Sequence, residues 1–204
     1  MSLLDAIKKK KSHLKPNETR VTTVMGQIFR EQTSSSGDRI QVELHETSPG
    51  YVVDETPDIQ VAFVLPWLCF GSQDVVCDVE LLNQNQISRV LSLGVSPPIH
   101  FPHIDYKFLP VYDEPGYNLS KHFPDCFTYI DHCHNDQSTV YVHCNAGISR
   151  SATIVIAYIM KHMGLDLAQA HDLVKKVRPC IKPNPGFLRQ LKEWEQKHLK
   201  DSQL

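Results

Sequence analysis

An α/β fold, with a central mixed sheet flanked by helices on both faces, follows from three features of the sequence. From residue 59 onward, short runs rich in β-branched and aromatic residues alternate with stretches of helical periodicity, the order that builds a sheet covered by helices. The segment 149–163 is apolar almost all round, so its helix is expected to be buried. The 204 residues carry no internal repeat and no apolar run near the roughly 18 residues of a membrane span, which suits one domain plus an extension.

The elements follow in order. Residues 2–14 read as a short amphipathic helix, with Leu3, Leu4, Ile7 and Leu14 against Lys8 to Lys11, ended by Pro16. Residues 31–58 are polar and turn-rich, and only "IQVEL" at 40–44 alternates like a strand. Residues 1–58 are therefore expected to be a basic helix and a partly ordered arm, and 59–200 the folded domain. Within that domain "IQVAFVLPWLCFGS" reads as two strands hinged at Pro66. Asp74 is expected to cap a helix carrying Val75, Val79 and Leu82 on one face. "ISRVLSLG" and "YKFLPVY" read as strands, Ser120 as the cap of a helix with Phe123, Phe127 and Ile130, and "STVYVH" as the next strand. Asp166 caps a helix turning Leu167, Ala170, Val174 and Val177 inward. A last helix, about 185–199, buries Phe187, Leu188, Leu191 and Trp194.

The formal net charge of −2 does not point to a nucleic-acid partner. Charge is uneven, however. Residues 1–20 hold six Lys or Arg against two Asp or Glu, while the rest of the chain is acidic. The lysine run at 8–11 suits a solvated helix face better than a nuclear-import or anionic-surface patch. The N-terminal apolar stretch is too short for a signal peptide, and its lysines follow it. The six cysteines, none in a C-x-x-C pair, then read as thiols in a cytoplasmic or nuclear setting. "DHCHN" at 131–135 has metal-ligand residue types. Consecutive side chains on a helix diverge, so Asp131, His132, Cys133 and His134 are not expected to converge on one ion.

The chemistry concentrates in "VYVHCNAGISRSATIVIAYIM". Cys144 stands where a strand ends and a helix begins, the place where open α/β sheets hold ligands. Gly147 permits a tight turn, and loop amides with a helix N-terminus make a nest for a tetrahedral anion. Arg150 adds a planar fork matched to two phosphate oxygens. The same positive field favours a thiolate. A phosphate-binding loop and a nucleophile therefore share one site, implying a thiophosphate intermediate that water then hydrolyses. The leaving group needs a proton, and Asp113 in "PVYDEPGYNLS" supplies it, with the adjacent Glu114 as rival.

"HCNAGISRS" resembles the His-Cys-x5-Arg-Ser/Thr signature of cysteine-dependent protein tyrosine phosphatases, and "AGISRS" with "AYIM" and "RPCIKPNPGFLRQL" resembles the dual-specificity branch. The likeness spans about residues 59–197. "TRVTT", "PWLCFGSQD" and "FPDCF" are similar to an atypical member linked to stress-kinase signalling. The resemblance implies a tyrosine-phosphatase-like fold with Cys144 as nucleophile, Arg150 as phosphate clamp and Asp113 as general acid. It makes His143 the residue that orders the loop and favours the thiolate, and Ser151 the hydroxyl that assists breakdown of the intermediate. Asn145, Ala146, Gly147, Ile148 and Ser149 provide the substrate-binding amides. It implies no metal and no cofactor. Partners are phosphorylated proteins, with kinases of the MAP kinase cascade among the candidates.

A dual-specificity protein phosphatase is the reading that results. The loop between Cys144 and Arg150 has no Lys or His, unlike inositol-lipid relatives, and "VYDEPG" lacks the Trp-Pro-Asp acid loop of the larger tyrosine phosphatases. Two other readings stand beside it: a non-catalytic scaffold that binds phosphoproteins, and a phosphatase of lipid or RNA.

Overall fold

The structure is a computed structural model, and it describes residues 18–22, 27–33, 39–47 and 56–198. The helix expected at 2–14 lies outside the described residues. The chain divides into two compact units, Met1–Thr56 and Pro57–Leu204. In the first, β1 (Glu18–Thr22), β2 (Gln27–Thr33) and β3 (Arg39–Thr47) form an antiparallel sheet in the order β1-β2-β3. The sequence marked only 40–44 as strand. Its polar, turn-rich surroundings hid two further strands, because alternation is weak where few large apolar residues mark one face.

The second unit is built on a five-stranded mixed sheet. Its strands are β4 (Ala62–Leu65), β5 (Leu68–Gly71), β6 (Ile87–Leu93), β7 (Asp105–Leu109) and β8 (Thr139–His143), in the order β4-β5-β8-β6-β7. Pro66 and Trp67 turn the antiparallel β4–β5 pair, and every other pairing is parallel. All five residues of β8 are buried, as expected of a central parallel strand covered on both faces.

Side chains alternate between two unequal layers, because successive strand residues point to opposite faces. Leu68, Phe70, Leu91, Leu93, Val140 and Val142 face a core completed by α2 (Phe123–Asn135), α3 (Arg150–Met163), α4 (Leu167–Val177) and α5 (Pro185–His198). Cys69, Val90 and Tyr141 face the thinner layer with Val75, Val76, Leu82 and Ile104. α3 runs through the main core with every residue from Ser151 to Met160 buried. Among the described residues no helix is long and apolar enough to cross a membrane.

Three local expectations are corrected. Asp74 caps nothing. Ser72 caps a 3-10 turn over Gln73–Cys77, and Asp78 then caps α1 (Val79–Gln84) by accepting from the N–H groups of Glu80 and Leu81. One expected helix is thus two short pieces, since Asp78 breaks it and restarts it. Ser120 does not cap α2 either: it begins a 3-10 turn, and its N–H with that of Leu119 is met by Gln190 from α5. Leu188 is 38% exposed, whereas Phe187 and Leu191 are buried and Trp194 partly so. Asp166 caps α4 as read, reinforced by Gln169 in a capping box.

Candidate active site

The loop 144–149 leaves the C-terminal end of β8 and enters α3. Its carbonyls are all tied to groups outside the loop's interior. Those of Asn145 and Ile148 accept from the Gln73 and Lys182 N–H groups at 3.0 and 2.9 Å. Those of Ala146 and Gly147 accept from the Arg178 guanidinium, each at 2.9 Å. Ser149 O accepts from the N–H and hydroxyl of Thr153. Every peptide here is trans, so C=O and the following N–H point opposite ways. Carbonyls pulled outward therefore turn the amides of Ala146, Gly147, Ile148 and Ser149 inward, and the N–H groups at the start of α3 join them. Inward amides beside Cys144 are an arrangement suited to a tetrahedral anion.

Gly147 makes the turn possible. Its φ is +66°, and it lies against the backbone of Gly71 and Ser72 so closely that a Cβ would collide with both. Arg150, the first residue of α3, donates through Nη1 to Leu93 O at 3.1 Å. Its Nε is buried, has no hydrogen-bond partner among the described residues, and lies 3.6 Å from Asp113 Oδ2. The guanidinium is thus anchored at one corner with a donor in reserve.

Asp113 is fixed over the loop. Its Oδ1 accepts from the Ser149 hydroxyl at 2.7 Å and from the Asn184 side-chain amide at 2.8 Å. Glu114 is exposed and its carbonyl accepts from Tyr117 N–H. The Ser151 hydroxyl lies 3.4 Å from the Cys144 sulfur, both buried. His143 is completely buried, and burial, with the Arg150 charge, brings its pKa down to about 4 against the Cys144 carbonyl's opposite pull. A carbonyl can only accept, so Nδ1 carries the proton it gives to Cys144 O at 3.2 Å. The neutral ring's Nε2 then accepts from the Ser92 hydroxyl at 2.8 Å. All five residues read as catalytic are brought together. The residues of 131–134 diverge instead: Asp131 binds Tyr158 and Lys161, Cys133 donates to Tyr129 O, and His134 stacks on Trp67.

Residues 68–197 match the dual specificity phosphatase, catalytic domain, family. The chain belongs to the dual-specificity phosphatase family. This phosphatase is 37% identical over 192 residues to mouse dual specificity protein phosphatase 19, covering 91% of this chain and 86% of that protein. It is 40% identical over 131 residues to human dual specificity protein phosphatase 15, covering 64% of this chain and 44% of the relative. Among solved structures, it superposes on a mouse putative dual specificity phosphatase complexed with zinc tungstate with a TM-score of 0.67 at 30% identity, covering 76% of this chain and 97% of that one. A human tyrosine phosphatase-like serine/threonine/tyrosine-interacting protein also superposes, with a TM-score of 0.65 at 32% identity over 68% of this chain and 97% of that one.

The phosphatase site also uses residues that the sequence did not single out. Ser92, Arg178 and Asn184 come from β6, from the end of α4 and from the loop before α5. "RPCIKPN" was visible as a pattern, yet the link from Arg178 to a loop thirty-one residues earlier is a tertiary fact.

Proposed function

We propose that this phosphatase removes phosphate from phosphotyrosine and phosphoserine or phosphothreonine in proteins through a cysteinyl-phosphate intermediate on Cys144. In the first step the Cys144 thiolate forms the S–P bond as the P–O bond to the substrate side chain breaks. Asp113 gives its proton to the departing oxygen. The inward amides and Arg150 carry the charge on the three non-bridging oxygens. In the second step water attacks phosphorus, Asp113 takes its proton back, and sulfur leaves as thiolate with the Ser151 hydroxyl donating to it. His143, neutral at working pH, acts by holding the Cys144 carbonyl and not by charge. The observation that carries this reading is the outward tethering of the loop carbonyls around a cysteine with a serine hydroxyl 3.4 Å from its sulfur.

The mouse relative complexed with zinc tungstate lends support, since tungstate is a tetrahedral oxyanion. The interacting-protein neighbour favours a scaffold as the second reading, because that protein shares the fold. We place the catalytic domain at 59–200 with 1–58 as an arm, and the substrates among signalling phosphoproteins, MAP kinase cascade members included. Six free thiols suit the reducing cytoplasm and nucleus. The test is Cys144→Ser, which leaves a hydroxyl that is not ionised at neutral pH. Turnover of an aryl phosphate should vanish with the fold intact, vanadate should inhibit the wild type, and EDTA should not. Wild-type protein that binds vanadate without turnover would establish the scaffold instead.

A further inference from the structure

We propose that Asp58 is a positioning residue of the phosphate loop, acting through Arg178. The proposal rests on the reading of 144–150 as the phosphate site. Arg178 is fully buried and divides its donors between the loop and residues 58 and 60. Nε and Nη2 hold the carbonyls of Gly147 and Ala146. Nη1 holds Gln60 Oε1 at 3.2 Å and Asp58 Oδ1 at 3.5 Å, while Nη2 also meets Asp58 Oδ2. A guanidinium without water needs a counter-charge, and among the described residues Asp58 is the acid within ion-pair reach of it. Without that charge the cation would seek water, and the two carbonyls it clamps would be released.

Asp58 is itself held on every side. Its N–H donates to Asp74 Oδ2 at 2.9 Å, its carbonyl accepts from the Ser72 hydroxyl at 2.6 Å, and its Oδ1 also accepts from Gln60 N–H at 3.2 Å. Ser72 O in turn accepts from the Tyr141 hydroxyl at 2.9 Å, and Gln73 N–H holds Asn145 O. Residues 58–60 and 71–73 thus brace the back of the loop from two directions. The 58–60 half of this brace lies before position 68, where the match to the family domain begins. It also includes the last residue of the segment that the sequence assigned to the arm.

The test compares Asp58→Asn, Arg178→Gln and the double variant in the full chain, with kcat/KM on an aryl phosphate and the vanadate inhibition constant normalised to the folded fraction from urea unfolding. Asp166→Ala, which removes the α4 cap, serves as a variant destabilised away from the site. Asp58→Asn should lower kcat/KM at least tenfold and weaken vanadate at least fivefold. The same change made on top of Arg178→Gln should cost less than twofold, since coupled residues are not additive. Asp166→Ala should lose stability and keep kcat/KM. Asp58→Asn within twofold of wild type in both readouts, or losses that multiply in the double variant, would overturn the proposal. Should Asp58→Asn or Arg178→Gln fail to fold, Gln60→Leu decides, with a two- to fivefold loss in both readouts supporting the proposal and no change overturning it. A wild type that neither turns over nor binds vanadate would refute the reading of the loop itself and not the brace.

Discussion

Gly147→Ala probes the loop by steric means alone. The new Cβ would lie 2.3 Å from Gly71 C, 2.5 Å from Gly71 O and 2.7 Å from Ser72 N. Carbon contacts are comfortable at about 3.5–4.0 Å, so the shortfall is on the order of 1 Å. The opposing atoms are backbone and have no rotamer to escape into. Overpacking of this kind costs about 1–3 kcal/mol. The left-handed φ of +66° adds about 1–2 kcal/mol for a residue with a Cβ. Together they remove about 2–5 kcal/mol of stability. A loop displaced by about 1 Å should lower kcat/KM on the order of 100-fold. Gly164 provides the control: its φ is also +66°, but a Cβ there meets open space. Gly164→Ala should lose only the backbone part, about 1–2 kcal/mol, and keep its turnover. Thermal unfolding and kcat/KM on an aryl phosphate measure both. If the two variants lose the same stability and neither loses activity, the loop is not seated on Gly71 as described.

Asp113→Asn should slow hydrolysis of poor leaving groups far more than good ones, since only the former need the proton; the same pattern in Glu114→Gln and not in Asp113→Asn would transfer the role. Ser151→Ala should give a burst of phenol and then a slow steady rate in rapid-quench kinetics, the pattern expected of the proposed role in the departure of sulfur; no burst with an unchanged steady rate would make Ser151 purely structural. His143 predicts a pH dependence of stability. Its folded pKa of about 4 lies below the unfolded value of about 6.5, so the unfolded chain binds the extra proton between these values. Stability is complete above about pH 6.5 and falls toward pH 4, by roughly 2–3 kcal/mol from this residue. His143→Gln should flatten that part of a urea-unfolding pH series, and an unchanged slope would refute the tautomer and burial described. Asp58 adds a second acid-side loss: burial opposes its charge, but the Arg178 hydrogen bond and charge, with the Gln60 N–H, together lower its pKa. Its contribution is therefore present above the ordinary carboxylate range and lost as pH falls through the lowered value, and Asp58→Asn should remove this limb.

Local chemistry decided much of this protein. The strand, glycine loop and apolar helix around Cys144 are readable because a continuous buried run, a φ-permissive residue and a helical pattern are each short-range signals. Asp166 was legible as a cap because capping is settled within four residues. Asp74 and Ser120 were not, since Ser72 and Asp78 competed for the first helix start and Gln190, seventy residues away from Ser120, supplied the second. The polar strands β1 and β2 escaped because pairing, and not composition, defines them. The identities of the nucleophile and the phosphate clamp could be proposed from spacing. What holds them could not: Arg178 must fold back thirty-one residues to reach Gly147 O, and Asn184 must cross seventy-one to reach Asp113. Sequence sets which groups are available, but a carbonyl's direction depends on whichever distant donor the packed core brings to it. Only the tertiary structure places a buried charge beside its counter-charge and turns the carbonyls of a glycine loop outward.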